Sequence, residues 1–150
     1  MTELRVNGRV VQVDVAPDTP LLDVLRNTLG LTGARYGCGL EQCGSCMVLL
    51  DGAPAFSCVR EIGTLQGHEI TTVEALSDHP LIAAFLEEQA GQCGYCLTGM
   101  VISAKALLDR TPHPTRAQVV AALDRNLCRC GAHARIIRAV QRAAASKVKA

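Results

Sequence analysis

A chain of 150 residues, 49% apolar, with 15 basic against 14 acidic side chains, is long enough to bury a core and offers no broad basic face to nucleic acid. No apolar stretch approaches the roughly 20 residues of a membrane helix, and 3% aromatic content without Trp argues against a stacking surface for bases or sugars. The N-terminus has neither a basic n-region nor an apolar h-region, so the expectation is a cytoplasmic chain without an export signal of its own.

In chain order, residues 3–15, ELRVNGRVVQVDV, alternate apolar and polar about Asn7-Gly8 and predict two antiparallel strands joined by a tight turn. Asp18 or Thr19 is placed to cap a helix with Pro20 at its first position, Leu21, Leu22, Leu25 and Leu29 on one face, and Gly30 as its stop. After a cysteine-rich loop, MVLLDGAPAFSCV predicts two more strands about Asp51-Gly52, and HEITTV at 68–73 a fifth. Strands, one crossing helix and strands again predict an α+β chain whose first domain, residues 1–75, is a β-grasp of the plant ferredoxin type.

From residue 76 the pattern turns helical. Leu81, Ile82, Phe85 and Leu86 share a face after Pro80, and residues 97–110 form a second helix with Val101, Ile102 and Leu108 inward. Thr115 and Gln118 have the form of a capping box for a third helix through about Arg125 carrying Val119, Val120 and Leu123. A fourth, from about His133 to Ala145, packs Ile136, Ile137 and Val140. Residues 76–150 therefore read as a four-helix bundle domain.

The chemistry sits in eight cysteines. Disulfide frameworks belong to exported chains. Zinc accepts four thiolates, typically on two short knuckles. Cys38, Cys43, Cys46 and Cys58 follow neither pattern. Their C-x4-C-x2-C spacing with a later fourth cysteine is that of a plant-type 2Fe-2S loop. A two-iron rhomb needs two thiolates on each iron, so the chain must curl around it. Gly37, Gly39 and Gly44 are placed to take positive φ and turn amide N–H groups toward the sulfurs. By analogy with that loop, Cys38 pairs with Cys43 and Cys46 with Cys58.

Cys93 and Cys96 precede one predicted helix, and Cys128 and Cys130 another, so packing the two helix N-termini side by side would gather four sulfurs. Spacing alone leaves this second site open between zinc and a second cluster. His68, His79, His113 and His133 share no spacing and read as surface or capping residues. No phosphate loop, carboxylate pair or nucleophile–base arrangement stands out, so no catalytic residue is assigned.

YGCGLEQCGSC with Cys58, QCGYC followed by Gly99-Met100, and NLCRCG, in that order along nearly the whole chain, resemble the small iron-sulfur subunit of the molybdenum hydroxylases. That family includes xanthine dehydrogenase, aldehyde oxidoreductase, carbon monoxide dehydrogenase, isoquinoline oxidoreductase and nicotinate dehydrogenase. The pattern is most similar to the isoquinoline and nicotinate branch. The resemblance implies one 2Fe-2S cluster in each domain, held by Cys38, Cys43, Cys46 and Cys58 and by Cys93, Cys96, Cys128 and Cys130. It implies a large molybdopterin-binding catalytic partner that hydroxylates an N-heteroaromatic or aldehyde substrate with oxygen from water. Electrons would enter the C-terminal cluster, pass to the N-terminal one and leave to a FAD subunit, a cytochrome c or another acceptor. The chain itself would be the non-catalytic electron-transfer subunit of the complex.

Residue by residue, Gln92 matches a glutamine that touches the pterin, and Cys130 lies where a cluster ligand approaches it. Arg129, between two ligands, would orient the loop or meet the partner. Glu41 and Gln42 depart from the family, which more often has a glycine and a varied residue there; Glu41 would lower the potential of the first cluster if it points inward. Leu97-Thr98 and Ala132-His133 also depart, leaving all eight cysteines intact. A partner with an export signal would carry the folded chain to or across a membrane. The competing readings are a free-standing two-cluster carrier and a zinc-bound interaction module.

Overall fold

The computed structural model describes residues 1–146. Five strands form one mixed sheet: β1 (Thr2–Val6), β2 (Arg9–Val13), β3 (Met47–Leu50), β4 (Ala53–Phe56) and β5 (Glu69–Thr71), in the order β2-β1-β5-β3-β4. β1 runs parallel to β5, and the other neighbours are antiparallel. Both hairpins turn as their sequences demand: Asn7 and Gly8 take φ of 53° and 75°, and Asp51 and Gly52 take 49° and 82°, the doubly left-handed turn that matches strand twist. Leu4 and Val6 on β1 and Ile70 on β5 face the core. Pro54, which cannot donate to a ladder, sits on the edge strand β4.

The first helix, α1, is shorter and wider than predicted. It begins at Leu21–Asp23 and opens into π-helical turns over Val24–Thr28. Neither Asp18 nor Thr19 caps it, and Pro20 occupies the cap position rather than the first turn. Backbone carbonyls do the work of the cap: Leu21 N donates to Arg60 O at 2.7 Å and Leu22 N to Ser57 O at 3.0 Å. The start of α1 is thereby tied to the segment that carries Cys58, a long-range solution invisible in a local sequence window.

Four helices follow: α2 (Pro80–Glu87), α3 (Leu97–Arg110), α4 (Arg116–Leu123) and α5 (His133–Ser146). His79 caps α2 by accepting from Leu81 N at 3.2 Å. The capping box on α4 forms as predicted, with Thr115 Oγ1 accepting from Gln118 N and Gln118 Oε1 accepting from Thr115 N. The helix stops at Leu123, short of Arg125. Two residues predicted inward face outward: Leu86 is 74% and Val120 45% exposed. Each lies next to a residue that does fill the core, Phe85 and Val119, and one step along a helix turns a side chain by about 100°.

α3 is buried nearly all round, from Gly99 to Ala104 and from Ala106 to Leu108, because it lies between the other helices and the sheet. The buried core runs without interruption from the strands into the bundle. No helix among the described residues is long and apolar enough to cross a membrane.

Candidate metal centres

The loop from Gly37 to Cys46 is held at both ends before it reaches the sulfurs. Upstream, the Arg26 guanidinium donates to Thr32 O and Ala34 O at 2.7 and 2.8 Å, and Arg35 N donates to Ser45 O at 2.9 Å. Downstream, Cys46 leads directly into β3, and the Ser57 hydroxyl donates to Cys46 O at 2.7 Å. Within the loop, Leu40 N and Gln42 N lie 3.3 Å from Cys38 Sγ, Cys43 N lies 3.4 Å from it, and Cys38 N lies 3.4 Å from Cys43 Sγ. The predicted inward amides are therefore present.

The glycines divide the work differently from the prediction. Gly39 and Gly44 take positive φ, but Gly37 does not; a Cβ there would lie 2.6 Å from Cys43 Sγ, so its role is to leave room for the sulfur. Glu41 takes φ of 55°, a conformation glycine enters without a Cβ penalty. Its carboxylate lies 3.9 Å from Arg60 Nη2 and is partly exposed, so the charge is directed to that arginine.

Cys38 and Cys43 are half-buried, whereas Cys46 and Cys58 are buried. Burial pushes the Cys46 thiol up to about 11, against donation from the Cys58 and Ser57 backbone. Burial also acts upward on Cys38, but the amides of Leu40, Gln42 and Cys43 outweigh it and hold that thiol down to about 7. Within the first set Cys38 interacts with Cys43 and Cys46 with Cys58.

The second group assembles across the bundle. Cys93 and Cys96 lie on the approach to α3, with Cys96 at its cap, and Cys128 and Cys130 on the approach to α5. The partners are nested: Cys93 Sγ lies 3.5 Å from Cys130 Sγ, and Cys96 interacts with Cys128. Ala132 N, near the start of α5, points at Cys128 Sγ from 3.4 Å. Burial, reinforced by the Cys128 thiol, pushes Cys96 up to about 12. Cys93 is exposed and held below its ordinary value, chiefly by Tyr95 N and then by Cys130. In Cys128 burial works upward, yet donation from Ala132 N and Cys96 prevails and lowers it.

The donor sets suit two-iron clusters. The sulfurs meet two by two, each pair facing backbone N–H donors or its own partner, as a rhomb with two thiolates per iron would need. Gln92, exposed, reaches Cys130 O with its amide nitrogen at 3.4 Å, so those two candidate residues are brought together. Arg129 is exposed and lines a cavity of about 280 Å³ with Cys38, Cys43, Cys93, Cys96 and Cys128. His68 pairs with Asp51 and His79 caps α2, each remote from the thiols in role.

Residues missed by sequence reasoning tie the two groups to each other. Arg35 Nη1 donates to Gly94 O and Tyr95 O at 2.6 and 3.0 Å, the Tyr95 hydroxyl donates to Tyr36 O at 2.5 Å, and Thr98 Oγ1 donates to Gly33 O at 2.7 Å. The Arg125 guanidinium lies over the Phe56 ring at 4.3 Å. Neither periodicity nor turn chemistry marks these side chains.

A 2Fe-2S iron-sulfur cluster binding domain model matches residues 4–77, and a second, a 2Fe-2S binding domain, matches residues 72–141. One of the subunits of the nicotinate dehydrogenase of Pseudomonas putida is 53% identical, with 97% of this chain aligned to 96% of that one. The alpha subunit of isoquinoline 1-oxidoreductase of Brevundimonas diminuta is 45% identical over 96% of this chain and 97% of its own. The chain belongs to the iron-sulfur subunits of the molybdenum hydroxylases. Among solved structures, quinoline 2-oxidoreductase of Pseudomonas putida 86 superposes with a TM-score of 0.93 at 36% identity, covering 99% of this chain and 95% of that chain. The aldehyde oxidoreductase of Desulfovibrio desulfuricans gives 0.95 at 37% identity over 99% of this chain, which there corresponds to 17% of a longer one. The family carries the β-grasp ferredoxin-like domain and the helical domain in the order seen here, and its second domain model resolves the choice between zinc and a second cluster in favour of the cluster.

Proposed function

We propose that this chain is the electron-transfer subunit of a molybdenum-dependent oxidoreductase complex, carrying electrons from a large molybdopterin-bearing subunit to a flavin or cytochrome acceptor. One observation carries the reading: thiols of both sets, Cys38 and Cys43 with Cys93, Cys96 and Cys128, line a common cavity across a seam bridged by hydrogen bonds, with Leu127 N donating to Cys43 O at 2.8 Å. Leu127 immediately precedes Cys128, so a thiol of the second set is one residue from a hydrogen bond to a cysteine of the first.

On this reading the chain divides near residue 75. Cys38, Cys43, Cys46 and Cys58 hold a cluster in the sheet domain, and Cys93, Cys96, Cys128 and Cys130 hold another in the bundle. The clusters, when bound, supply one-electron transfer. The chain's own residues fix their places, limit their access to water and aim amide donors at their sulfurs. Gln92 and Cys130 form the edge offered to the pterin. The names of the relatives favour an N-heteroaromatic substrate, or an aldehyde, bound on the large subunit.

The test is to isolate the tagged chain from its native host and determine its co-purifying subunits with iron, molybdenum and flavin per chain. About four irons per chain, two for each cluster, with molybdenum and a large partner are expected. Four irons in a solitary chain would instead favour the free-standing carrier. A colourless, zinc-loaded protein would sink the cluster assignment.

A further inference from the structure

Between the two thiol sets lies a buried polar chain that electron relay by itself does not require. Asn126 is 4% exposed. Its Oδ1 accepts from the Ser103 hydroxyl of α3 at 2.8 Å, and its Nδ2 reaches Gly44 O at 3.5 Å, a carbonyl that also accepts from Met47 N at 3.2 Å. Gly44 separates Cys43 from the pair Ser45-Cys46, while Asn126 stands two residues before Cys128. One side chain thus spans both loops from a fixed point on the central helix.

Its neighbours grip the same loop. Arg125 Nη2 donates to Glu41 O at 3.2 Å, and Leu127 N donates to Cys43 O at 2.8 Å. The approach has no slack: a Cβ on Gly44 would lie 2.4 Å from Asn126 Nδ2. A buried amide whose partners are fixed has few other arrangements, because leaving its groups unpaired costs more than the bonds themselves return.

We propose that Asn126, anchored by Ser103, is a positioning residue that sets the separation and orientation of the two iron-sulfur centres and so the coupling between them. This rests on the two-cluster reading above. Ser103 supplies the rigid reference, since α3 is packed on all sides. Asn126 transmits it to the Gly37–Cys46 loop, where Gly39 and Gly44 take positive φ, and to its own segment ahead of Cys128.

The experiment uses the intact complex carrying Asn126→Ala or Ser103→Ala. Iron per chain is measured first, then the magnetic coupling between the two reduced centres by low-temperature electron paramagnetic resonance. Dipolar coupling falls with the cube of separation, so it reads geometry independently of turnover. Both variants are expected to keep the signal of each centre and to show altered coupling, Ser103→Ala by the smaller amount. Wild-type coupling in both variants, with both centres present, would overturn the proposal, as would uncoupled centres in the wild type. If Asn126→Ala does not hold both centres, Ser103→Ala decides by the same measurement. A wild-type protein that lacks about four irons per chain defeats the cluster reading instead, before any variant is compared.

Discussion

The two thiol sets reach the same chemistry by opposite routes. In the sheet domain three cysteines fall within nine residues, and the loop aims its own amides at Cys38 from 3.3 to 3.4 Å. In the bundle no single segment carries more than two cysteines, and each sulfur finds its partner across the gap between the approach to α3 and the approach to α5. Three thiols of the first set are a property of one loop, with Cys58 brought to them from beyond β4, while the second set is a property of helix packing. Damage to the first should therefore stay local, and damage to the bundle should spread to its thiols.

The largest effect expected is from the cysteines themselves. Cys43→Ser should lower iron from about four to about two per chain and remove the signal of one centre, leaving the bundle centre reducible by substrate in the assembled enzyme. Cys128→Ser should remove the other signal and interrupt electron entry. Loss of the same signal in both variants would abolish the partition. Next is the seam: Gly99→Ala would place a Cβ 2.0 Å from Gly44 O. Overpacking of this kind costs about 1–3 kcal/mol; thermal melting should show the loss, and a melting temperature equal to wild type would show that the seam yields freely.

A smaller effect tests whether bundle stability reaches its thiols. Thr115→Ala removes the hydroxyl that caps α4, which should cost about 1 kcal/mol. Amide hydrogen exchange should rise most in α4 and the Arg125–Cys130 segment and by less in the Gly37–Cys46 loop that this segment grips; no rise in the Arg125–Cys130 segment would mean that the α4 cap does not reach the thiols. The smallest lies at the far end of β3 from Cys46. Hydrogen bonding from His68, then from Glu69 N, holds the Asp51 carboxyl below its usual value. A lowered folded value stabilises above the ordinary carboxylate range, near about pH 4, and that contribution disappears as pH falls through the lowered value. Asp51→Asn should flatten the melting temperature over that acid interval without altering the visible spectrum of either centre.

Both hairpins were legible in the sequence because Asn7-Gly8 and Asp51-Gly52 encode their turns locally, and the α4 cap was legible because Thr115 and Gln118 need only each other. The start of α1 was not, since its N–H groups bond to the carbonyls of Ser57 and Arg60, which flank Cys58 far along the chain. Leu86 and Val120 were misplaced because an apolar residue beside a helix's buried stripe looks like part of it until neighbouring elements define the stripe's width.

The sequence by itself determined the composition of the candidate site: which cysteines group by spacing in the first set, which four remain for the second, and that glycines crowd the first loop. These follow from spacing and from the size of a residue, both one-dimensional properties. Tertiary structure alone decided the nested pairing of Cys93 with Cys130 and Cys96 with Cys128, the turning of Glu41 toward Arg60, and the burial of Asn126 between Ser103 and Gly44. Each of these depends on how α3 settles against the other helices and β3, and packing of segments distant in the chain is set by the shape of the whole core rather than by any local pattern.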